Sequence, residues 1–452
     1  MKIVYVAAGA AGMYCGSCLH DNTLAAALGK LGEEILLVPT YTPLRTDEPD
    51  VSLPRIFYGG INVYLETLVP FYRRLPSWLA RGLDAPWLLG LLSKFDFAVQ
   101  AEKLGPMTLS VLRGEDGQQQ QELELLVRWL RDEVRPDVVH LSNALFLGMA
   151  RRITREVGVP VVCGLSGEDI FFEKLPRRYY DAVRQELRER AGDAAHYVAL
   201  NDYYADFMAD YLGADRRRIT AIPHGLNLAG HTARTPADDG SIRIGYLARI
   251  CHDKGLHVLV EAFERLCADR ALPPLRLKIA GYTNRADRPY LQAQLHRLDA
   301  TRLTAQVEYV GEVSRDEKLR FLQGLDLFTT PTIYRESKGL PTLEALANAV
   351  PVVQPDHGSF REIVTDTGGG LLCAPNDPAD LAAKLRELIL DREQATSLGQ
   401  RGQQAIQARY TAAHMAERHR ALYEQLTAPA SSNITSSTFP ATSGQQPAAN
   451  SP

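Results

Sequence analysis

Along the chain, short apolar runs rich in β-branched residues alternate with longer stretches whose apolar positions recur at helical spacing. The runs are Lys2 to Val6, Ile35 to Pro39, Val138 to Leu141, Val159 to Leu165 and Tyr197 to Leu200. The rhythm restarts at Ile242 to Tyr246 and continues through Leu275 to Ala280, Gln306 to Val310, Leu327 to Thr330, Val350 to Gln354 and Gly369 to Cys373. Runs apolar at every position suit strands covered on both faces, and helical stretches between them suit parallel crossovers. The pattern predicts an α/β protein with two doubly wound domains, residues 1–228 and 242–410. The small, polar, Pro/Gly-punctuated stretch 229–241 has no hydrophobic period and is predicted to link them.

Three stretches depart from this rhythm. Arg73 to Gly117 carries Trp78 and Trp87 amid leucines; a lid or membrane-surface helix is one reading, but Asp84 and Asp96 interrupt the basic face, which favours a buried helical subdomain. Residues 411–426 have a helical pattern (Met415, Leu422, Tyr423, Leu426) that needs a partner surface. Residues 427–452 contain no charged residue and only Ile434 and Phe439 as large apolar groups, which predicts disorder. There Asn433-Ile434-Thr435 matches a glycosylation acceptor by composition alone.

Composition narrows the classes. Fifty basic and 54 acidic residues give a formal net charge of -4, which supplies no electrostatic case for a nucleic-acid partner. Association with a membrane surface is left open without a feature that indicates it, and no stretch of about 20 apolar residues predicts a bilayer span. Six cysteines in 452 residues form no disulfide framework, so a reducing, cytoplasmic setting is expected. The apolar start runs through a Gly-rich turn into a helix pattern, as a first strand does and a secretory signal does not. The Cys15-Gly16-Ser17-Cys18 pair invites a redox or metal reading, yet His20 is the one nearby ligand type and no second pair completes a zinc set.

The chemistry concentrates in the second half. Tyr334-Arg335-Glu336-Ser337-Lys338-Gly339-Leu340-Pro341-Thr342-Leu343-Glu344 follows a strand and opens a helix, with Pro341 at a first helical position and free amides facing the strand end. Glu336 and Glu344 can then face one pocket, and carboxylates suit paired sugar hydroxyls; the bland reading is a dipole-favoured helix acid beside an unrelated loop acid. Arg249 and Lys254 follow the first strand of the same half, where such a pair holds a diphosphate without a metal, although solvated loop cations are the commoner fate of these residues. No D-x-D, P-loop or G-x-G-x-x-G occurs, which removes the main support for metal-dependent sugar transfer, phosphotransfer and dinucleotide redox chemistry.

Glu336 to Glu344 resembles the E-x7-E signature of the retaining GT-B glycosyltransferases, most closely glycosyltransferase family 4, including the Gly-Leu-Pro before the second acid. Arg249 and Lys254 stand where that family's phosphate-binding cations stand. Ile222-Pro223-His224-Gly225-Leu226-Asn227 resembles its interdomain segment, and Pro351-Val352-Val353 with Gly358 to Val364 its following loop. The resemblance covers Met1 to about Leu426. It implies a GT-B architecture, two Rossmann-like domains facing a cleft. Glu344 would then bind the nucleotide ribose, Glu336 and the amides near Gly339 and Leu340 the donor sugar, and Arg249 with Lys254 the departing diphosphate. Gly16 would allow close approach to donor or acceptor, the helix from Ala412 would cross back onto the first domain, and neither metal nor other cofactor is called for.

Two positions depart from the family pattern, Lys338 where Phe is usual and His224 where Asn is usual. Ser166-Gly167-Glu168-Asp169 also replaces a segment that often carries a catalytic His. Glu168 and His140 are the acceptor-side candidates; for the first the alternative is helix capping, for the second a strand-end histidine. The expected activity is transfer of a hexose from a nucleotide diphosphate sugar, UDP-glucose foremost, to a hydroxyl acceptor that no motif names. The competing readings are a non-catalytic nucleotide-sugar-binding protein of the same fold and a GT-B phosphorylase.

Overall fold

The computed structural model describes residues 1–9, 16–54, 101–235 and 239–428, with the backbone alone at 101–103. Most of the tryptophan-bearing segment, Cys15 and almost all of the C-terminal tail lie outside the described residues.

Two six-stranded parallel sheets organise the chain. The first contains β1 (Lys2–Ala7), β2 (Glu34–Pro39), β3 (Val138–Leu141), β4 (Val161–Leu165), β5 (His196–Ala199) and β6 (Ile219–Ala221), in the order β2-β1-β3-β4-β5-β6. The second contains β7 (Ile242–Leu247), β8 (Leu275–Ala280), β9 (Val307–Gly311), β10 (Leu327–Phe328), β11 (Val352–Pro355) and β12 (Gly370–Cys373), in the order β12-β11-β10-β7-β8-β9. In each sheet the chain winds outward from its first strand in one direction and then in the other. This creates a topological switch point between β1 and β3 and another between β7 and β10, where loops diverge and leave a crevice.

The apolar runs supply both faces of each sheet. Along β1, Val4 and Val6 join one core while Ile3, Tyr5 and Ala7 join the other. In the second sheet, Ile242, Ile244 and Tyr246 of β7 face one core and Leu247 the opposite one. Each buried valine, leucine or isoleucine among them stabilises the fold by about 1.5–3 kcal/mol relative to exposure.

Local differences from the sequence reading have physical causes. The strand β6 was not expected: it has three residues, with one exposed, and Pro223 follows closely, so it offers no apolar run. After β2, an α-helix, Gln120–Arg128, widens into a π-turn at Trp129–Val134 and stops at Arg135, whose φ is 53°, where the helical apolar pattern of the sequence alone would carry one uninterrupted helix. Pro136 cannot donate the next helical hydrogen bond.

The helix Ala412–Thr427 packs on the helix Gly16–Lys30 of the first domain, sharing a core of Leu24, Leu28, Met415, Leu422 and Tyr423 with the sheet. The chain crosses between domains twice, and the crossings lie side by side: the Leu226 amide donates to the Tyr410 carbonyl at 2.8 Å and the Ala412 amide to the Leu226 carbonyl at 2.9 Å. None of the helices among the described residues is long and apolar enough to cross a membrane.

Candidate active site

The crevice between β7 and β10 holds the chemistry singled out in the sequence. Glu336 lies in the loop after β10, and its side chain is 9% exposed. Its Oε2 meets the Lys254 ammonium at 2.6 Å and accepts from the Tyr334 hydroxyl at 2.8 Å; its Oε1 accepts from the Lys338 amide at 3.2 Å. Lys254 also donates to the Tyr334 hydroxyl and lies 4.9 Å from that ring's centroid. Burial by itself would raise the Glu336 carboxyl. Lys254, Tyr334 and the amide outweigh it and pull the group down to about 2, so the acid is an anion through the working pH range.

Backbone geometry explains why this loop can close on the acid. Gly358 has a φ of 59°, and a Cβ there would stand 2.5 Å from the Glu336 carbonyl oxygen and 2.7 Å from its nitrogen. The same carbonyl accepts from the Ser359 amide at 2.7 Å. Gly339, at a φ of 64°, caps the start of the helix Leu340–Ala347, and a Cβ there would meet Ile363 at 2.4 Å. Only glycine adopts both conformations without strain.

Arg249 follows β7 with its side chain exposed, its Nη2 within 3.6 Å of the Cys251 sulfur. A half-buried lysine paired to a carboxylate therefore stands in the same loop as an open guanidinium. Glu344, in the first turns of the helix Leu340–Ala347, is buried and meets Lys318 at 2.5 Å through Oε1. Burial and the nearby Asp47 raise its carboxyl, with Lys318 opposing.

Across the cleft, the Lys338 ammonium donates to the Ser17 hydroxyl at 2.8 Å, and a Cβ on Gly16 would lie 3.8 Å from the Lys338 side chain and 4.0 Å from Leu340. Asn201 of the first domain donates to the Ser337 carbonyl at 2.7 Å. The structure thus brings Gly16 beside Lys338 and Leu340, next to Gly339 in sequence, and Glu336 against Lys254.

The acceptor-side candidates are placed differently. Both carboxylate oxygens of Glu168 are taken by backbone amides, Oε1 by Ala144 at 3.0 Å and Oε2 by Ser166 at 2.7 Å. It makes no side-chain capping bond to the helix Asp169–Glu173 that follows it, but takes the first amide of the 3₁₀ helix Ala144–Met149, and so braces two segments. Its neighbour Asp169 accepts from the Tyr204 hydroxyl at 2.6 Å. His140 is buried, stacks on Tyr5 at 4.5 Å and pairs with the Tyr423 hydroxyl at 2.6 Å.

His140 belongs to a set of four buried histidines that sequence reasoning did not assemble. His20 and His224 approach through their Nδ1 atoms at 2.9 Å; His419 has ring centroids 6.5 Å from His20 and 5.8 Å from His140. Burial lowers all of them, His224 to about 3 and His419 to about 4. They come from the first helix, β3, the interdomain segment and the last helix, so no local spacing could reveal them. No group of three or more His, Cys, Asp or Glu with metal-holding geometry occurs among the described residues.

Comparison with known proteins agrees with this architecture. The family model described as Glycosyltransferase Family 4 matches residues 105–229, and the one described as Glycosyl transferases group 1 matches residues 231–405. The two matches follow one another along the chain, and its two six-stranded parallel sheets are the GT-B fold. Glycogen synthase of Mycobacterium tuberculosis is 30% identical over 266 residues, which is 57% of this chain and 61% of that protein's length. D-inositol 3-phosphate glycosyltransferase of Nocardia farcinica is 27% identical over 404 residues, 79% of this chain and 83% of the relative. Among solved structures, sucrose-phosphate synthase from Thermosynechococcus elongatus superposes with a TM-score of 0.66 at 16% identity, covering 94% of this chain and 99% of that one. Anabaena HepE, solved with UDP and glucose, gives 0.64 at 15% identity, covering 94% of this chain and 100% of that one. These structural likenesses establish the GT-B fold, and the two family matches meet at the interdomain segment, a few residues after His224.

Proposed function

We propose that the protein is a retaining, metal-independent glycosyltransferase that moves a hexose from a nucleotide diphosphate sugar, UDP-glucose foremost, to a hydroxyl acceptor. The observation that carries this reading is the Lys254–Glu336 pair at 2.6 Å beside the exposed Arg249, at the switch point where open α/β sheets bind ligands. Solved structures of HepE with UDP and with UDP-glucose support the donor class.

The roles follow from the charges. Negative charge develops on the leaving diphosphate as the bond to the sugar breaks. Arg249, with a fork of donors, and Lys254, as a point charge, would stabilise that charge more in the transition state than in the ground state, which raises turnover rather than only tightening binding. Glu336 holds Lys254 in place and offers its carboxylate to sugar hydroxyls. Glu344 would meet the ribose. Glu168 braces its loop, and the acceptor would be met from the first-domain side of the cleft. With the leaving phosphate itself able to accept the acceptor's proton, the chemistry needs no histidine base on that side.

The test is release of UDP from UDP-glucose by the purified chain and by Glu336→Ala and Lys254→Ala, together with proton NMR of the released sugar's anomeric configuration. Turnover that falls strongly in both variants with thermal stability kept, and a product of unchanged configuration, supports the reading. Near-parent turnover in both variants, or an inverted product, overturns it.

A further inference from the structure

The ribose-side acid of the second domain is tied to the first domain by a chain of ion pairs. Lys318, on the helix Arg315–Gln323, bridges Glu344 and Asp47, each at 2.5 Å from its ammonium. Asp47 lies in the loop after β2 of the first domain. All three groups are nearly sealed from water, with side-chain exposures of 10% for Asp47, 11% for Lys318 and 6% for Glu344.

Flanking pairs make this an organised contact. Arg315, three residues before Lys318 and so on the same helix face, pairs with Glu48 at 3.3 Å and donates to the carbonyls of Asn227 and Ala229 in the interdomain segment at 2.9 and 3.1 Å. Glu312 pairs with Arg45 at 3.1 Å. The first-domain loop is itself held: Glu48 accepts from the Thr23 hydroxyl at 2.8 Å, and Asn22 exchanges bonds with Pro49 and Val51 at 3.0 and 2.9 Å. Arg45, Asp47 and Glu48 thus meet Glu312, Lys318 and Arg315 with opposite charge at every pairing.

We propose that Asp47 and Lys318 are positioning residues for the donor's ribose: the first domain, through Lys318, holds Glu344 in the orientation that receives the ribose hydroxyls. This rests on the reading of Glu344 given above and goes beyond it, because the donor site then includes a residue of the first domain. The physical reason is that a buried carboxylate without a cation takes up a proton or turns toward water. Lys318 fixes Oε1 of Glu344 and leaves Oε2 as the oxygen it does not engage. Lys318 in turn stays charged between two carboxylates, pushed up to about 12, and Asp47 keeps its ammonium from swinging fully onto Glu344. When the domains separate, Asp47 leaves and the ammonium is held from one side only. Ribose affinity and cleft closure are therefore linked, each favouring the other.

The experiment measures binding of UDP and of 2′,3′-dideoxy-UDP to the full chain by calorimetry, for the parent, Asp47→Asn and Lys318→Met. Loss of a charge-assisted positioning contact should weaken UDP about tenfold in Asp47→Asn and more in Lys318→Met, while affinity for the dideoxy compound stays within about twofold of the parent's. Parent-like UDP affinity in both variants overturns the proposal. An equal loss for both ligands also overturns it, since that marks a general disturbance of the fold; Asp47→Asn, which keeps shape and volume, makes this outcome readable even if Lys318→Met folds poorly. Failure of UDP to bind the parent overturns the donor-site reading on which the proposal rests.

Discussion

The crevice beside β7 and β10 and the one beside β1 and β3 are the same topological feature in two sheets, filled in opposite ways. The first contains a lysine–glutamate pair, a tyrosine hydroxyl and an open guanidinium, so its buried acid is matched by a cation. Beneath the second, the helix Ala412–Thr427 lies on the first helix and seals neutral imidazoles into the core. Two buried glutamates show the same contrast. Glu336 has a cation and is pulled down to about 2; Glu168 has backbone amides alone, and burial keeps it raised. A fold places loops at a crevice, but the charge partners decide whether that crevice can meet an anion.

The largest effect expected from breaking this contrast is on the charged side. Lys254→Ala should lower turnover by about 10²–10³-fold, the usual cost of removing a preorganised group that stabilises developing charge, with the melting curve keeping its cooperative form. Steady-state UDP release checks it.

On the neutral side the effect is on stability. The histidines titrate near 6.5 when unfolded and well below that when folded, so the unfolded chain binds protons that the native one refuses. The stability they confer is complete above about pH 6.5 and is lost as pH falls toward the native values, about 4 for His419 and about 3 for His224. Each should cost on the order of 1.4 kcal/mol per pH unit within that window. Urea unfolding at pH 7.5, 6 and 5 should show the loss, and His419→Leu should shallow the slope; an unchanged slope contradicts the assignment.

Smaller effects separate the two glutamates further. Glu168→Gln turns an amide group toward one of two backbone donors and should destabilise by about 1–3 kcal/mol while leaving UDP affinity unchanged, as denaturation and calorimetry would show. A loss of UDP affinity instead would place Glu168 in the donor site. Smallest of all, Arg45→Ala removes the exposed pair with Glu312 and should change stability by less than about 1 kcal/mol, with any change screened out by salt.

How far the molecule was legible from sequence follows the same division. Every strand except β6 announced itself as an apolar run, and Glu336, Glu344, Arg249 and Lys254 were visible because they sit within a few residues of strand ends and helix starts. Tyr334, two residues before Glu336, carried a local signal that went unread. The remainder depends on contacts between distant segments: Lys318 with Asp47, His20 with His224, and His140 with Tyr423, which are 283 residues apart. Periodicity and spacing describe neighbours along the chain, so pairings made by the closing of two domains leave no trace in them. His140 was a candidate by its strand-end position and Glu168 by standing in the segment that often carries a catalytic His; neither signal reveals that Tyr423 and two backbone amides engage them.

The central claim is that Arg249 and Lys254 hold a nucleotide's diphosphate without a metal. Calorimetric titration of UDP into the full chain, with and without a chelator and repeated on the Arg249→Ala/Lys254→Ala double variant, tests it most directly. The account predicts chelator-independent binding that weakens at least about 100-fold in the double variant. Binding that vanishes with the chelator, or that survives loss of both cations, would contradict it.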